Sequence, residues 1–198
     1  MLISYSSEWE TSQAIFFIKQ FGPYTRYLEI GSLNGDSLQS FSTLMEPNSL
    51  LICIDKICND SLTSTIQKLS KSFKVKSIIG DSHKQSTIDR LKEILGNNLL
   101  DILFIDGDHS QYGVSCDIHN YVSFVKPNGL IIFHDCGFIN TRIINDSKIN
   151  FRNGVIDVNP CFQSFIFNKP YVLIQEVAGI GIVFNRLLFN EEEKRGKK

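Results

Sequence analysis

Two short apolar runs stop abruptly on groups that can do chemistry: Ile102-Leu-Phe-Ile105 on Asp106-Gly-Asp-His-Ser110, and Gly129-Leu-Ile-Ile-Phe133 on His134-Asp135. Carboxylates beside imidazoles can take up and release protons, and carboxylate oxygens can hold a divalent cation. A third place is Glu29-Ile-Gly-Ser-Leu-Asn-Gly-Asp-Ser37, where an acid precedes glycines at 31 and 35. Gly31 lets the backbone turn tightly and approach a ligand without a Cβ in the way, and Gly35 lets a helix start pack close. Glu29 would repel a pyrophosphate, and it suits a cationic amino-acid ligand. Asp55 ends a fourth run, Ser49-Leu-Leu-Ile-Cys-Ile54, at about the distance beyond the glycine turn where an acid meets the hydroxyls of a nucleoside ribose. Gly80-Asp81-Ser82 offers a carboxylate and a hydroxyl that could meet an adenine amino group. Each acid taken singly could instead be a turn residue or helix cap.

The elements that must position these residues follow from hydrophobic pattern. Short continuous apolar runs rich in β-formers are expected of strands covered on both faces in a parallel sheet. They fall at Tyr27–Gly31, Ser49–Ile54, Val75–Ile79, Ile102–Ile105 and Gly129–Phe133. Helical patterns lie between them, over Leu38–Met45, from Ser61 or Ser64 to Leu69, over Ile88–Leu95 and over Tyr112–Val125, with Pro127-Asn-Gly129 as a turn. An amphipathic helix over Glu8–Gln20 precedes the first strand and is expected to cover the sheet or the mouth of the site, with Trp9, Phe16 and Phe17 as core or lid packing.

The last third differs. Residues 137–153 read as a lid or substrate loop, and Val155–Phe167 as a helix interrupted at Pro160. Tyr171–Val177 and Ile180–Phe184, separated by Ala178-Gly179, read as a hairpin. The fold class is therefore α/β: a doubly wound, mostly parallel seven-stranded sheet with a C-terminal antiparallel hairpin. Residues 1–190 read as one domain, with 1–24 as its N-terminal helical segment and 191–198 as a charged tail.

Composition narrows the classes of function. A net charge of -1, with scattered Lys and Arg, argues against a nucleic-acid binder that works through a basic face. The 42% apolar content suits a globular chain, and no apolar run is long enough to span a bilayer. Five cysteines without a CxxC pair indicate neither a zinc knuckle nor a disulfide framework, and the N-terminus lacks the basic start of a secretory leader. A reduced, cytoplasmic setting without membrane attachment is expected. Sheet edges and the N-terminal helix offer surfaces for a homo-oligomer.

The sequence resembles the class I S-adenosylmethionine-dependent methyltransferases through Leu28-Glu-Ile-Gly-Ser-Leu-Asn-Gly35, Ile54-Asp55 and the final hairpin, which looks like their reversed seventh strand. More narrowly, Phe104-Ile-Asp-Gly-Asp-His-Ser110 with Gly113-Val114, Lys126-Pro-Asn-Gly129 and Phe133-His-Asp135 is similar to macrocin-type sugar O-methyltransferases and cephalosporin hydroxylase-like proteins. The resemblance covers about residues 25 to 136 well, and the last third in outline.

It implies a Rossmann-like methyltransferase fold and S-adenosylmethionine as cofactor. Glu29, Gly31, Ser32 and Gly35 would surround its methionine part, Asp55 the ribose, and Asp81 with Ser82 the adenine, with Asp106 at the same site. Asp106 and Asp135 would be ligands of a divalent cation such as magnesium, with His134 in the third ligand position, where relatives carry another oxygen donor. A histidine suits a transition metal better than magnesium. Asp108 or His109 would be the base, and the acceptor a small hydroxylated molecule, a sugar favoured. Relatives often continue Asp-His-Ser with Tyr-Glu, whereas Gln111-Tyr112 follows here. The alternatives are a nicotinamide-dependent oxidoreductase and a non-catalytic nucleotide-binding scaffold.

Overall fold

The structure is a computed structural model that describes residues 7–137, 158–175 and 178–186. The elements are α1 (Ser7–Ile18), β1 (Tyr24–Ile30), α2 (Asp36–Ser42), β2 (Met45–Asp55), α3 (Asp60–Leu69), β3 (Lys74–Ile79), α4 (Gln85–Leu95), β4 (Leu100–Ile105), α5 (Gln111–Tyr121), β5 (Val125–Phe133), α6 (Val158–Phe165), β6 (Tyr171–Ile174) and β7 (Ile180–Phe184). They form one seven-stranded sheet in the order β3-β2-β1-β4-β5-β7-β6. The pairs from β3 to β5 are parallel, while β7 runs antiparallel to both β5 and β6. This is the expected α/β class with its C-terminal hairpin. A single reversed strand results, because β6 again runs the same way as β5.

Alternation along the strands divides the core into two layers. Leu28, Ile30, Ile52, Ile54, Leu103, Ile105, Ile131 and Phe133 pack on one face with residues of α4, α5 and α6. Tyr27, Leu51, Cys53, Ile102, Phe104, Leu130 and Ile132 pack on the other with residues of α1, α2 and α3. Every residue of β4 is buried, as expected for a central strand covered on both faces.

Element boundaries differ from the sequence reading for local reasons. α2 begins at Asp36, directly after Gly35 at φ +83, and ends at Ser42; Met45 belongs to β2, where it pairs with Tyr24. Neither Ser61 nor Ser64 starts α3: the Asn59 side chain caps it, accepting from the Leu62 N–H at 2.8 Å. α5 stops at Tyr121 and a single 3-10 turn follows, because Val125 is already paired with Leu100 in the sheet. Pro160 does not interrupt α6. It is the third helical residue, where a missing N–H costs nothing. Residues 138–153 of the expected lid, and the charged tail, lie outside the described residues. Among those described, no helix is long and apolar enough to cross a membrane.

Candidate active site

The carboxyl ends of β1, β4 and β5 are level, and each ladder runs one residue past its strand. Gly31 N–H donates to the Ile54 carbonyl at 2.9 Å, Asp106 N–H to Ile30 at 2.9 Å, and His134 N–H to Ile105 at 3.1 Å. The residues that follow the three strands are thus held on a common rim, where open α/β sheets place ligands. Gly31, at φ +85, lets β1 and β4 approach this closely; a Cβ there would collide with the Asp106 carbonyl.

On this rim the two strand ends singled out in the sequence meet. His134 Nδ1 lies 3.2 Å from Asp106 Oδ1 and 3.3 Å from Asp135 Oδ1. His109 spans the same pair, with Nε2 at 3.2 Å from Asp106 Oδ1 and Nδ1 at 3.0 Å from Asp135 Oδ2. One ligand atom each from Asp106, His134 and Asp135 falls within 4.8 Å of the others. His134 Nδ1 is buried and makes no aligned hydrogen bond despite its two carboxylate neighbours. Asp135 adopts φ 54, a left-handed conformation that aspartate tolerates better than most residues.

The charges in this cluster reinforce one another. Burial alone would lower the His134 pKa, but the nearby carboxylates of Asp106 and Asp135 outweigh it and raise it to about 11. His109 is also raised, chiefly by its bond to Asp106 and against its burial. Burial works to raise the Asp106 carboxyl, yet the two imidazoles hold it below its ordinary range. A cation entering here would displace protons from the imidazoles.

Two cavities open on either side of Gly31 and Asp106. The larger, about 460 Å³, is lined by Ile30, Ile54, Asp55, Lys56, Gly80, Ser82, Gly107, Asp108 and His109. The smaller, about 380 Å³, lies under α1, which contributes Glu8, Thr11, Ser12 and Ile15; Ser32, Asn34, Asp36, Ser37, Phe104 and His134 face them. Both cavities touch Gly31, Leu33 and Asp106. A wider hollow of about 910 Å³ sits among Thr25, Arg26, Asn48 and Lys74 at the opposite ends of the strands, away from every residue singled out for chemistry.

Most of the residues singled out lie around these cavities. Asp55 lines the larger, with Oδ2 accepting from Ser32 N–H at 2.9 Å and Leu33 N–H at 2.8 Å, so it also braces the glycine turn. Ser82 lines it too. Asp81 does not: its Oδ1 accepts from the His83 N–H at 3.0 Å, the main cause of its lowered pKa, and Lys56 stands 3.8 Å away. Asp108 is exposed at the rim, and its Oδ1 accepts from the Ser110 N–H at 3.0 Å, which holds its pKa down. Gly35 packs under α3 and lines neither cavity.

Glu29 is set back from both cavities. It lies on the α2 face of β1, is fully buried, and lines neither cavity. Its carboxylate accepts from Tyr27 OH at 2.7 Å and Ser37 Oγ at 2.9 Å. Burial raises its pKa to about 7 against the effect of those two bonds. Trp9 and Phe16 are 43% and 70% exposed, so neither is a core residue.

Other residues at the site carried no signal in the sequence. Gly107 passes under Ile30, where a Cβ would meet the Ile30 side chain at 3.1 Å. Buried Glu10 accepts from Ala178 N–H at 3.2 Å and Gly179 N–H at 3.0 Å, tying α1 over the smaller cavity to the turn before β7. The Glu10 position on an amphipathic helix was readable, but its partners lie 168 and 169 residues away.

A parallel sheet with one reversed strand, a glycine turn after β1, an acid ending β2 and a polar cluster at the ends of β4 and β5 define a Rossmann-like protein with its candidate site on the carboxyl rim. Residues 28–136, over half of the chain, match the family described as methyltransferase domain, and the chain belongs to that family.

An uncharacterized protein, R132, of Acanthamoeba polyphaga mimivirus is 33% identical over 114 residues, covering 55% of this chain and 50% of that protein. The match thus spans about half the length of that relative. Among solved structures, the O-methyltransferase of Bacillus cereus in complex with SAH aligns with a TM-score of 0.67 at 15% identity, over 94% of this chain and 84% of that one. The N-methyltransferase NodS of Bradyrhizobium japonicum aligns at 0.62 and 14% identity, over 90% and 96%. MycE of the mycinamycin biosynthetic pathway, in complex with Mg, SAH and mycinamycin VI, aligns at 0.56 and 15% identity, over 90% and 50%.

Proposed function

We propose that this chain transfers a methyl group from S-adenosylmethionine to a hydroxyl oxygen of a small acceptor, such as a sugar or a glycosylated metabolite, with a divalent cation assisting. The observation that carries the reading is the meeting of two cavities at Gly31 and Asp106, beside His109, His134 and Asp135. The larger suits a nucleoside, with Asp55 toward the ribose and Ser82 toward the adenine. Gly31 lets β1 and β4 close up so that the two cavities adjoin there, and at the smaller one Ser32 Oγ is buried without a hydrogen-bond partner among the described residues. The cofactor supplies a methyl group already activated on a sulfonium, so the protein mainly aligns the reactants and handles one proton.

Asp106, His134 and Asp135 would hold the cation, whose chemistry is to orient an acceptor oxygen and lower the pKa of its hydroxyl. Two carboxylates and an imidazole suit a divalent transition-metal ion better than magnesium. Of the two candidate bases, His109 is better placed. Asp106 and Asp135 flank its ring and stabilise the imidazolium formed when it takes the acceptor's proton. Its partial exposure lets it pass that proton to solvent. Asp108 already has one oxygen engaged and a lowered pKa, which makes it the weaker base.

An oxygen-bearing, hydroxylated acceptor is supported by the smaller cavity, whose wall carries the hydroxyls of Thr11, Ser12 and Ser40 and, among the described residues, no Lys or Arg. The likeness to MycE, solved with Mg, SAH and mycinamycin VI, supports the same choice.

Calorimetric titration with S-adenosylhomocysteine, with NADH as control, followed by a methyl-transfer assay of Asp106→Ala, tests the reading. Saturable binding of S-adenosylhomocysteine and loss of turnover in the variant are expected. Binding of NADH in its place would overturn the assignment.

A further inference from the structure

One turn, distant in sequence from both, joins helix α1 to the chain that leaves Asp135. Glu10, fully buried on α1, accepts from Gly179 N–H through Oε1 at 3.0 Å and from Ala178 N–H through Oε2 at 3.2 Å. The carbonyls of the same two residues accept from the residues after Asp135: Ala178 from Gly137 N–H at 2.9 Å, and Gly179 from Cys136 N–H at 3.2 Å. The peptide unit between Ala178 and Gly179 is thus bonded on both sides, its N–H to the Glu10 carboxylate and its carbonyl to Gly137. An anionic acceptor polarises such a unit and strengthens the bond on its far side. The contact leaves no space for side chains: a Cβ on Gly137 would stand 2.8 Å from the Ala178 carbonyl, and one on Gly179 would strike the Gly137 backbone.

Each end of this link carries part of the site. On one side α1 brings Glu8, Thr11, Ser12 and Ile15 to the wall of the smaller cavity, while Glu10 itself lines neither cavity. On the other stands Asp135, grouped with Asp106 and His134 as donors for a cation. Ala14 and Ile18 seat the second half of α1 in the core, where Tyr24 OH donates to the Ile18 carbonyl at 2.8 Å. Glu10 anchors the first half.

We propose that Glu10 is a positioning residue that couples the α1 wall to the cation site. A cation held by Asp135 steadies the 178–179 turn and with it α1, and a docked α1 favours the cation to the same extent. This rests on the cation reading given above.

Glu10→Gln keeps the shape but sets an NH₂ against one of the two amides. Co²⁺ affinity should fall by about fivefold or more, within the usual range of coupling between sites, and the visible absorption of bound Co²⁺, which follows its ligand geometry, should change. Asp101→Ala, which loosens the sheet at the opposite ends of the strands, should leave both readings unaltered. In the wild type, saturating Co²⁺ should slow hydrogen exchange at Ala178, Gly179 and along α1 by about fivefold or more.

Calorimetry, Co²⁺ spectra and exchange on the intact chain read all of these. Wild-type affinity and spectrum in Glu10→Gln would overturn the proposal, and so would an equal change in Asp101→Ala, which would make the effect one of general stability. Exchange at the turn and along α1 that ignores Co²⁺ would overturn it too, and this wild-type measurement decides should Glu10→Gln fail to fold. Wild-type protein that binds no Co²⁺ would bring down the cation reading and this proposal with it. Wild-type binding with an unaltered variant brings down this proposal alone.

Discussion

His134 Nδ1 and Asp106 Oδ1 stand 3.2 Å apart at the ends of two adjacent parallel strands, and the imidazole nitrogen makes no aligned hydrogen bond there. With Asp135 this is a mixed nitrogen and oxygen donor set, which selects among cations by softness. Mn²⁺ or Co²⁺ should bind more tightly than Mg²⁺ in competitive titrations, and His134→Asp should shift the preference toward Mg²⁺. Tighter Mg²⁺ binding by the wild type would refute this donor assignment.

Asp55 holds the glycine turn through the Ser32 and Leu33 amides and also accepts from the Ile57 N–H at 3.0 Å. On the proposed role of Asp55 at the ribose, Asp55→Ala should weaken S-adenosylhomocysteine binding by roughly 2–4 kcal/mol, since the charge-assisted contacts proposed there and the bracing of the turn would be lost together. Calorimetry and thermal melts separate the two. Unchanged affinity with a lowered Tm would leave Asp55 a structural role only.

Two buried acids give stability an unusual dependence on pH. The Glu29 pKa is raised from 4.5 to about 7, chiefly by burial. That of Asp117 is raised from 3.8 to about 6, again chiefly by burial. An acid with a raised folded pKa holds its proton more tightly folded than unfolded, so its favourable contribution is present below the unfolded pKa and is lost as pH rises through the folded one. Stability should thus decline between about pH 4 and 7 from these two groups. Neither Asp117 oxygen has a hydrogen-bond partner among the described residues, and His83 Nε2 stands 3.5 Å away. Asp117→Asn should be more stable than wild type by roughly 2 kcal/mol at pH 8 and nearly equal at pH 4. Denaturant melts at the two pH values check this; a variant less stable at pH 8 would mean that His83 compensates the charge.

Gly31 and Gly96 both have positive φ, but their surroundings differ. A Cβ at Gly31 would strike the backbone of Asp106 and Gly107, whereas one at Gly96 would meet nothing within 4 Å. Gly96→Ala should cost roughly 1–3 kcal/mol, the conformational penalty alone, because φ 56 with ψ -125 is a region essentially reserved for glycine. Gly31→Ala should cost several times as much and abolish S-adenosylhomocysteine binding, because the ends of β1 and β4 must separate. Equal melting temperatures for the two variants would show that the strand ends yield easily.

At the N-terminal end of β4, Asp101 accepts from Thr25 N–H at 2.6 Å, Thr25 Oγ1 at 3.0 Å and Arg26 N–H at 2.9 Å, and pairs with Lys126. Asp101→Ala should destabilise by roughly 2–3 kcal/mol while leaving ligand affinity intact, since the site lies at the other end of the strand. Burial opposes the lowering of its pKa, but these bonds prevail. Its contribution is therefore present above the ordinary carboxylate range and lost as pH falls. A drop in ligand affinity beyond that explained by unfolding would argue against this separation.

Strand identity was readable because Ile102–Ile105 and Leu130–Phe133, covered on both faces, had to be apolar throughout; the polar residues that interrupt them could only mark the rim. The same logic made Asp106, Asp108, His134 and Asp135 legible as neighbours, since adjacent parallel strands put their carboxyl ends on one side. What sequence could not carry is side-chain direction and long-range partnership. Glu29 is one residue from Ile30, yet period-two alternation sends it to the α2 face, where Tyr27 and Ser37 claim it. Asp81 turned to its own loop, and Glu10 found its donors across the chain in Ala178 and Gly179. Local pattern decides which residues must be buried or may end a strand; which acid meets which donor depends on helix packing across the sheet, and only the tertiary structure decides that.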